Sequence, residues 1–149
     1  MYLPLSVPHI PWLPHEDFKG KSGASPRGDQ VLMADYILGE IIFRLDELKI
    51  SEKTLVIFTS DNGPREGVNG HRSAGDLRGY KGSIWKGGHR VPFIAKWPGK
   101  IEPGTTSDQI VTLTDLWQPV LQLSMEFYQK VLERIVTIFC PPCWERRKE

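Results

Sequence analysis

The 149-residue sequence has only two cysteines, almost no charge excess and no apolar run that approaches a membrane span. Each absence excludes something. Cys140 and Cys143 lie together near the C-terminus, so no disulfide framework ties distant segments, and the redox compartment is left open. Lysine and arginine number 19 against 18 aspartates and glutamates, and a net charge of +1 gives the chain as a whole no attraction to nucleic acid or to an anionic membrane. Any anion binding must therefore be local. The first residues, MYLPLSVPHIPWLP, lack the basic start and unbroken apolar segment of a signal peptide, and they are expected to come from inside a domain, with the localisation unassigned. No internal repeat is visible. What remains is an ordinary globular balance, 40% hydrophobic and 25% charged, in a chain long enough for one core.

The organising stretch is TLVIFTSDNGP, Thr54 to Pro64. Leu55 to Phe58 is apolar and rich in β-branched and aromatic residues, which predicts a buried strand that stops abruptly at polar, turn-forming residues. Asp61 and Asn62 are thus delivered to the carboxyl end of a strand, where open α/β sheets gather their ligands. A carboxylate and an amide oxygen there suit a hard, oxygen-preferring cation. Asn62-Gly63 is also a hairpin signal. A hairpin needs a second strand at once, and Arg65 to Gly79 has glycine, asparagine, serine and charge where alternating apolar residues should stand.

Around this centre the pattern predicts a short strand over Tyr2 to Val7, running into an extended Pro8-His9-Ile10-Pro11 loop. His15 to Gly28 is a polar, Gly/Ser-rich connection. From Asp29, taken as the N-cap, Val31, Leu38, Ile41, Ile42, Leu45 and Leu48 recur at helical spacing, predicting an amphipathic helix of about five turns. Strand, loop, helix, strand is a crossover unit, which favours parallel pairing. Val91 to Trp97 is a second strand with Pro92 at its start or on an edge, ended by Pro98-Gly99. Thr112 to Leu123 reads as a capped helix in which Pro119 is tolerable only in the first turn or at a kink.

Three places could converge at the strand ends: His9, the Asp61-Asn62 pair, and Lys81 within Arg78-Gly-Tyr-Lys-Gly-Ser-Ile-Trp-Lys-Gly-Gly-His-Arg90. A lysine flanked by a bare backbone can approach an anion closely with a compact charge. Taken singly, each has a plain structural reading, and Lys86, His71 and His89 carry less signal still.

The ordered set, Pro-His-x-Pro, then Thr-Leu-Val-Ile-Phe-Thr-Ser-Asp-Asn-Gly-Pro, then Gly-Tyr-Lys-Gly-Ser with Gly-Gly-His-Arg-Val-Pro, resembles the sulfatase family in its arylsulfatase-like branch. The likeness runs from Tyr2 to about Leu123 and takes in Gly20-Lys21-Ser22, Leu32 to Asp35, Trp97 to Ile101 and Leu113 to Leu116. It implies an α/β fold, part of an alkaline-phosphatase-like layered sheet with flanking helices. It also implies metal-assisted hydrolysis of sulfate esters, whether of a small molecule or a sulfated glycan. By this resemblance Asp61 and Asn62 match half of a divalent-metal site, usually calcium. Lys81 matches the lysine that contacts sulfate, and His9 the histidine that hydrogen-bonds the ester and helps the leaving group depart. The resemblance implies that these groups face one shared crevice. A phosphate or phosphonate ester hydrolase on the same scaffold, or a non-catalytic remnant, are the alternatives.

The family's nucleophile, a formylglycine made in a Cys-x-Pro-x-Arg or Ser-x-Pro-x-Arg motif, has no match here. Cys140-Pro-Pro-Cys143 is followed by Trp144 where the motif needs arginine. The chain is therefore expected to be an internal piece, residues 1–124, of a sulfatase catalytic domain, followed by an aberrant tail over 125–149. That tail could be a redox Cys-x-x-Cys or half a zinc site. It could also be a shifted reading frame: codons permitted for Phe127 to Trp144, read one nucleotide earlier, can spell LPEGVGEDSYNILPALLG, which resembles a sulfatase continuation.

Overall fold

The computed structural model describes residues 1–126, so Cys140, Cys143 and nearly all of the expected tail lie outside the described residues. The chain divides into two compact units, Met1–Thr105 and Thr106–Glu149.

The first unit is built on one long helix and a two-stranded sheet. Helix α1 spans Ser25–Glu47 with Ala24 as its N-cap, five residues before the Asp29 N-cap that the sequence suggests. Pro26 explains the early start: in the first turn its missing N–H costs nothing and its fixed φ suits the helix. Asp29 is therefore no N-cap. It lies inside α1, buried, and turns back on the preceding loop, where its carboxylate accepts the N–H groups of Gly20 at 2.8 Å and Ser22 at 2.9 Å. The inward face of α1 is carried by Ala34, Ile37, Leu38, Ile41, Ile42 and Leu45 at intervals of three and four, whereas Val31 and Leu48 are exposed. The helix ends with Lys49 at φ 57°, as Lys49 N–H donates to the Asp46 carbonyl and Ile50 N–H to that of Leu45. This is a Schellman ending in which lysine holds the position that usually favours glycine.

Strand β1, Val56–Thr59, pairs with β2, Phe93–Lys96, in the register Val56↔Lys96 to Thr59↔Phe93. The pairing is antiparallel, and the parallel pair expected of the crossover unit, between Tyr2 to Val7 and β1, does not form. The reason lies at the other end of that unit. Tyr2 to Val7 forms no strand, and Tyr2 is 89% exposed, since Pro4 removes a ladder donor and among the described residues no neighbouring strand is there to pair with. β1 is half-buried along its length rather than buried, because one helix and one partner strand cannot cover both faces of a sheet. The Trp97 indole N–H, donating to the Glu52 carbonyl at 3.0 Å, ties the end of β2 to the entry of β1. Pro92 stands just before β2, and Gly99, at φ 74°, turns the chain away after it.

In the second unit Thr112 and Asp115 cap a short 3-10 turn, Leu113–Leu116, reciprocally, with Thr112 N–H donating to Asp115 Oδ2 at 2.7 Å. Residues 117–126 continue as α-helix, and Pro119 falls in its first turn. Among the described residues no helix is long and apolar enough to cross a membrane.

Candidate active-site loops

β1 ends at Thr59, and the chain turns through Ser60, Asp61, Asn62 and Gly63. Ser60 Oγ donates to the Asn62 carbonyl at 3.2 Å and holds this turn together. The amide nitrogen of Asn62 donates to the Gly63 carbonyl at 3.0 Å, which leaves Asn62 Oδ1 as a free acceptor. The Asp61 side chain is exposed, and among the described residues its one polar neighbour is Ser60 Oγ, 3.5 Å away. An uncommitted carboxylate beside an uncommitted amide oxygen fits part of the oxygen shell of a calcium-sized ion, which takes six to eight such ligands. Among the described residues no three His, Cys, Asp or Glu side chains gather as a metal-holding group, so this chain offers a partial set.

The glycine-rich loop is laced to the same turn. Gly63 N–H donates to the Gly88 carbonyl at 2.9 Å, Lys81 N–H to the Pro64 carbonyl at 2.8 Å, and Gly87 N–H to the Arg78 carbonyl at 2.8 Å. Helix α2, the single turn Lys86–His89, sits at the centre of this lacing with Gly87 and Gly88 buried. The contact is so close that a Cβ at Gly63 would run into the Gly87 carbonyl, and one at Gly87 into the Gly79 carbonyl. The backbone of Lys81 is thereby anchored two residues beyond Asn62.

His9 is held by a different set of bonds. Val7-Pro8 and Ile10-Pro11 are both cis. Its Nδ1 lies 2.7 Å from the Ile10 carbonyl, an oxygen that can only accept, so Nδ1 carries the proton and Nε2 faces outward with a lone pair. The Trp12 indole N–H donates to the Pro8 carbonyl at 3.1 Å. Buried Gln30 of α1 reaches the same segment. With its amide turned to satisfy both ends, the nitrogen donates to the His9 carbonyl at 3.1 Å and the oxygen accepts from Leu13 N–H at 3.2 Å. Among the described residues no hydrogen bond joins His9 to the Asp61 turn or to Lys81; their common lacing is confined to Asp61, Asn62 and Lys81.

Two arrangements have no signature in the sequence. Ser25 Oγ and His71 Nδ1 meet at 3.2 Å, with Ser25 at φ 80°, although 46 positions separate them. The Arg78 guanidinium carbon stands 3.5 Å from the ring centroid of Trp85, a stacked cation on an indole. The basic and aromatic residues of this loop could have been noticed in the sequence, but not their stacking.

Comparison with known proteins shows the family of the chain. The sulfatase family model matches residues 1–125. The chain is 42% identical over 113 residues to an N-acetylgalactosamine-6-O-sulfatase of Bacteroides thetaiotaomicron, covering 69% of this chain and 22% of that protein. It is 40% identical over 102 residues to human arylsulfatase A, covering 67% and 20%. Among solved structures, the PsFucS1 sulfatase of a Pseudoalteromonas species aligns with a TM-score of 0.68 at 40% identity, covering 74% of this chain and 22% of that one. The chain thus spans about a fifth of the length of these relatives. Helix, antiparallel pair and laced loops together form part of an α/β fold of the alkaline-phosphatase-like kind, and the chain belongs to the sulfatase family.

Proposed function

We propose that this chain supplies one wall of a sulfuric-ester hydrolase site: Lys81 as sulfate contact, His9 as proton donor to the leaving oxygen, and Asp61 with Asn62 as ligands of a divalent cation, most simply calcium. The observation that carries the reading is the backbone lacing that fixes Lys81 to the turn bearing Asp61 and Asn62. A sulfate ester carries its charge on peripheral oxygens, and breaking the S–O bond builds negative charge on the departing oxygen. The Lys81 ammonium, a compact charge with three donors, binds a peripheral oxygen. His9, its Nδ1 committed to the Ile10 carbonyl, holds a proton on Nε2 when charged and can release it to the leaving oxygen. Asp61 and Asn62 would hold a divalent cation, which when bound would supply positive charge against the sulfate oxygens. Phosphate or phosphonate esters make similar demands, but the family match and the named relatives favour sulfate.

The test is a chimera in which residues 1–125 replace the matching segment of the Bacteroides sulfatase. Lys81→Ala should lower turnover of an aryl sulfate by roughly 10²–10³-fold, as loss of one charge-stabilising donor does. Asp61→Ala should weaken calcium binding measured by titration. Turnover unchanged by Lys81→Ala would return that lysine to a solvated loop.

A further inference from the structure

We propose that Ser25 and His71 form a nucleophile–base pair that hydrolyses small, uncharged carboxylic esters, an activity that uses none of His9, Asp61, Asn62 and Lys81. Ser25 Oγ and His71 Nδ1 stand 3.2 Å apart, close enough for the imidazole to take the hydroxyl proton. Among the described residues neither atom has another hydrogen-bond partner, so the hydroxyl donates to Nδ1 and the imidazole proton resides on Nε2. Both residues are half-buried, held by the fold yet open to a small substrate.

Each partner is fixed from behind. His71 N–H donates to the Val68 carbonyl at 3.1 Å, and the His71 carbonyl accepts Ser73 N–H at 3.0 Å. Gly67 passes so close that a Cβ there would overlap the same His71 carbonyl. The Ser25 carbonyl accepts the Ser22 hydroxyl at 3.3 Å.

The plain alternative is a hydrogen bond that pins the 65–79 loop to α1 and does nothing else. Two observations weigh against it. Serine at a helix start ordinarily caps the helix, but here Ala24 is the cap, no side chain caps, and the Ser25 hydroxyl goes to His71 instead. Ser25 also sits at φ 80°, a left-handed backbone that costs an L-residue about as much as one neutral hydrogen bond returns, so a pin alone gains little over glycine. A strained backbone that presents a serine hydroxyl to a base is the arrangement of a nucleophile.

The reaction balances without a further reagent. Ser25 Oγ attacks the acyl carbon and its proton passes to His71 Nδ1; the bond from that carbon to the alcohol oxygen breaks, and the departing oxygen takes the proton from Nδ1. Water then attacks the acyl-serine and gives a proton to Nδ1, which returns it to Ser25 Oγ as the carboxylic acid leaves. The N–H groups of Ser25 and Arg27, in the first turn of α1, have no acceptor within the helix and are donors for the oxyanion. Chemistry selects the substrate class. A sulfate ester carries a full negative charge that resists attack until a cation offsets it, whereas a neutral carboxylic ester needs only the nucleophile, the base and these donors.

The experiment treats the full chain with 4-nitrophenyl acetate and, in parallel, with diisopropyl fluorophosphate, and locates the modified residues by peptide mass mapping. Ser25 should carry the acetyl and the phosphoryl group while the other serines stay unmodified. Release of 4-nitrophenol should exceed that of Ser25→Gly by at least about tenfold. Glycine accepts φ 80° without strain, so this variant keeps the backbone. His71→Asn, whose amide still bonds Ser25 but cannot take its proton, should slow acylation of Ser25 by about 10²-fold. His15→Asn, at an exposed histidine outside the pair, should leave it unchanged. Adducts spread over surface lysines with none on Ser25, acylation of Ser25 unaffected by His71→Asn, or an equal loss in His15→Asn would each overturn the inference.

Discussion

Gly63→Ala is the sharpest test of how the candidate site is assembled. A Cβ at position 63 would lie 2.8 Å from the Gly88 carbonyl carbon and 2.9 Å from that of Gly87, in addition to overlapping the Gly87 carbonyl oxygen. Comfortable carbon contacts are about 3.5–4.0 Å, so one backbone segment must retreat by roughly 1 Å. No side chain can rotate out of the way. Overpacking of this kind costs about 1–3 kcal/mol. The retreat also breaks the Gly63–Gly88 hydrogen bond and loosens the Lys81–Pro64 one, worth about 1 kcal/mol each. The sum is about 3–5 kcal/mol, and in a unit of this size each kilocalorie lowers Tm by roughly 4–8 °C. The comparator is Gly39→Ala, in the middle of α1, where a Cβ meets nothing within 4 Å. It should stabilise by about 0.5–1 kcal/mol through helix propensity alone. Thermal unfolding followed by tryptophan fluorescence reads both, and amide exchange at Gly63, Lys81 and Gly87 locates the damage. A Gly63→Ala protein that melts within a degree of the parent, with those amides still protected, would refute the close-packed lacing of the two loops.

Lys49→Gly removes a side chain from φ 57° in the Schellman ending of α1 and should raise stability by about 1 kcal/mol in urea titration; a loss would mean that the lysine makes a contact stronger than its backbone strain. The Ser22 hydroxyl and the Ser22 and Gly20 N–H groups hold the Asp29 carboxyl below the usual aspartate range, against the opposing effect of desolvation. A lowered folded pKa means that the stabilisation is present above the unfolded value of about 4 and is lost as pH falls through the lower folded one. Melting curves of the parent and Asp29→Asn should therefore differ at pH 6 and converge toward pH 2, and a constant gap would reject the linkage. The 149-residue chain by itself should turn over no aryl sulfate, since it contains neither nucleophile motif; metal-dependent turnover by purified chain would demand a nucleophile elsewhere in it.

Much of the local structure was legible in the sequence because it rests on neighbours in the chain. The helical spacing of Leu38, Ile41, Ile42 and Leu45 marks α1, the apolar run Leu55 to Phe58 marks β1, and Pro92 and Pro98-Gly99 bracket β2. The polar turn through Asp61 and Asn62 at the end of β1 was legible for the same local reason. The start of α1 was misjudged because Pro26 at the first turn and Asp29 as an N-cap are competing local signals, and Asp29 was claimed by the loop at Gly20 and Ser22.

Tertiary structure alone decided what depends on distant partners. Strand direction was set by β2, 33 residues beyond β1, and not by the proline-broken segment before α1. The seating of Gly63 against Gly87 and Gly88, the meeting of Ser25 with His71, and the Arg78 cation over Trp85 arise when loops close on one another. Periodicity and propensity report how a residue sits on its own element. They carry no information about which of many polar and glycine residues will be opposite it once the loop-closure entropy has been overcome, and in this protein the candidate site is made almost wholly of such pairings.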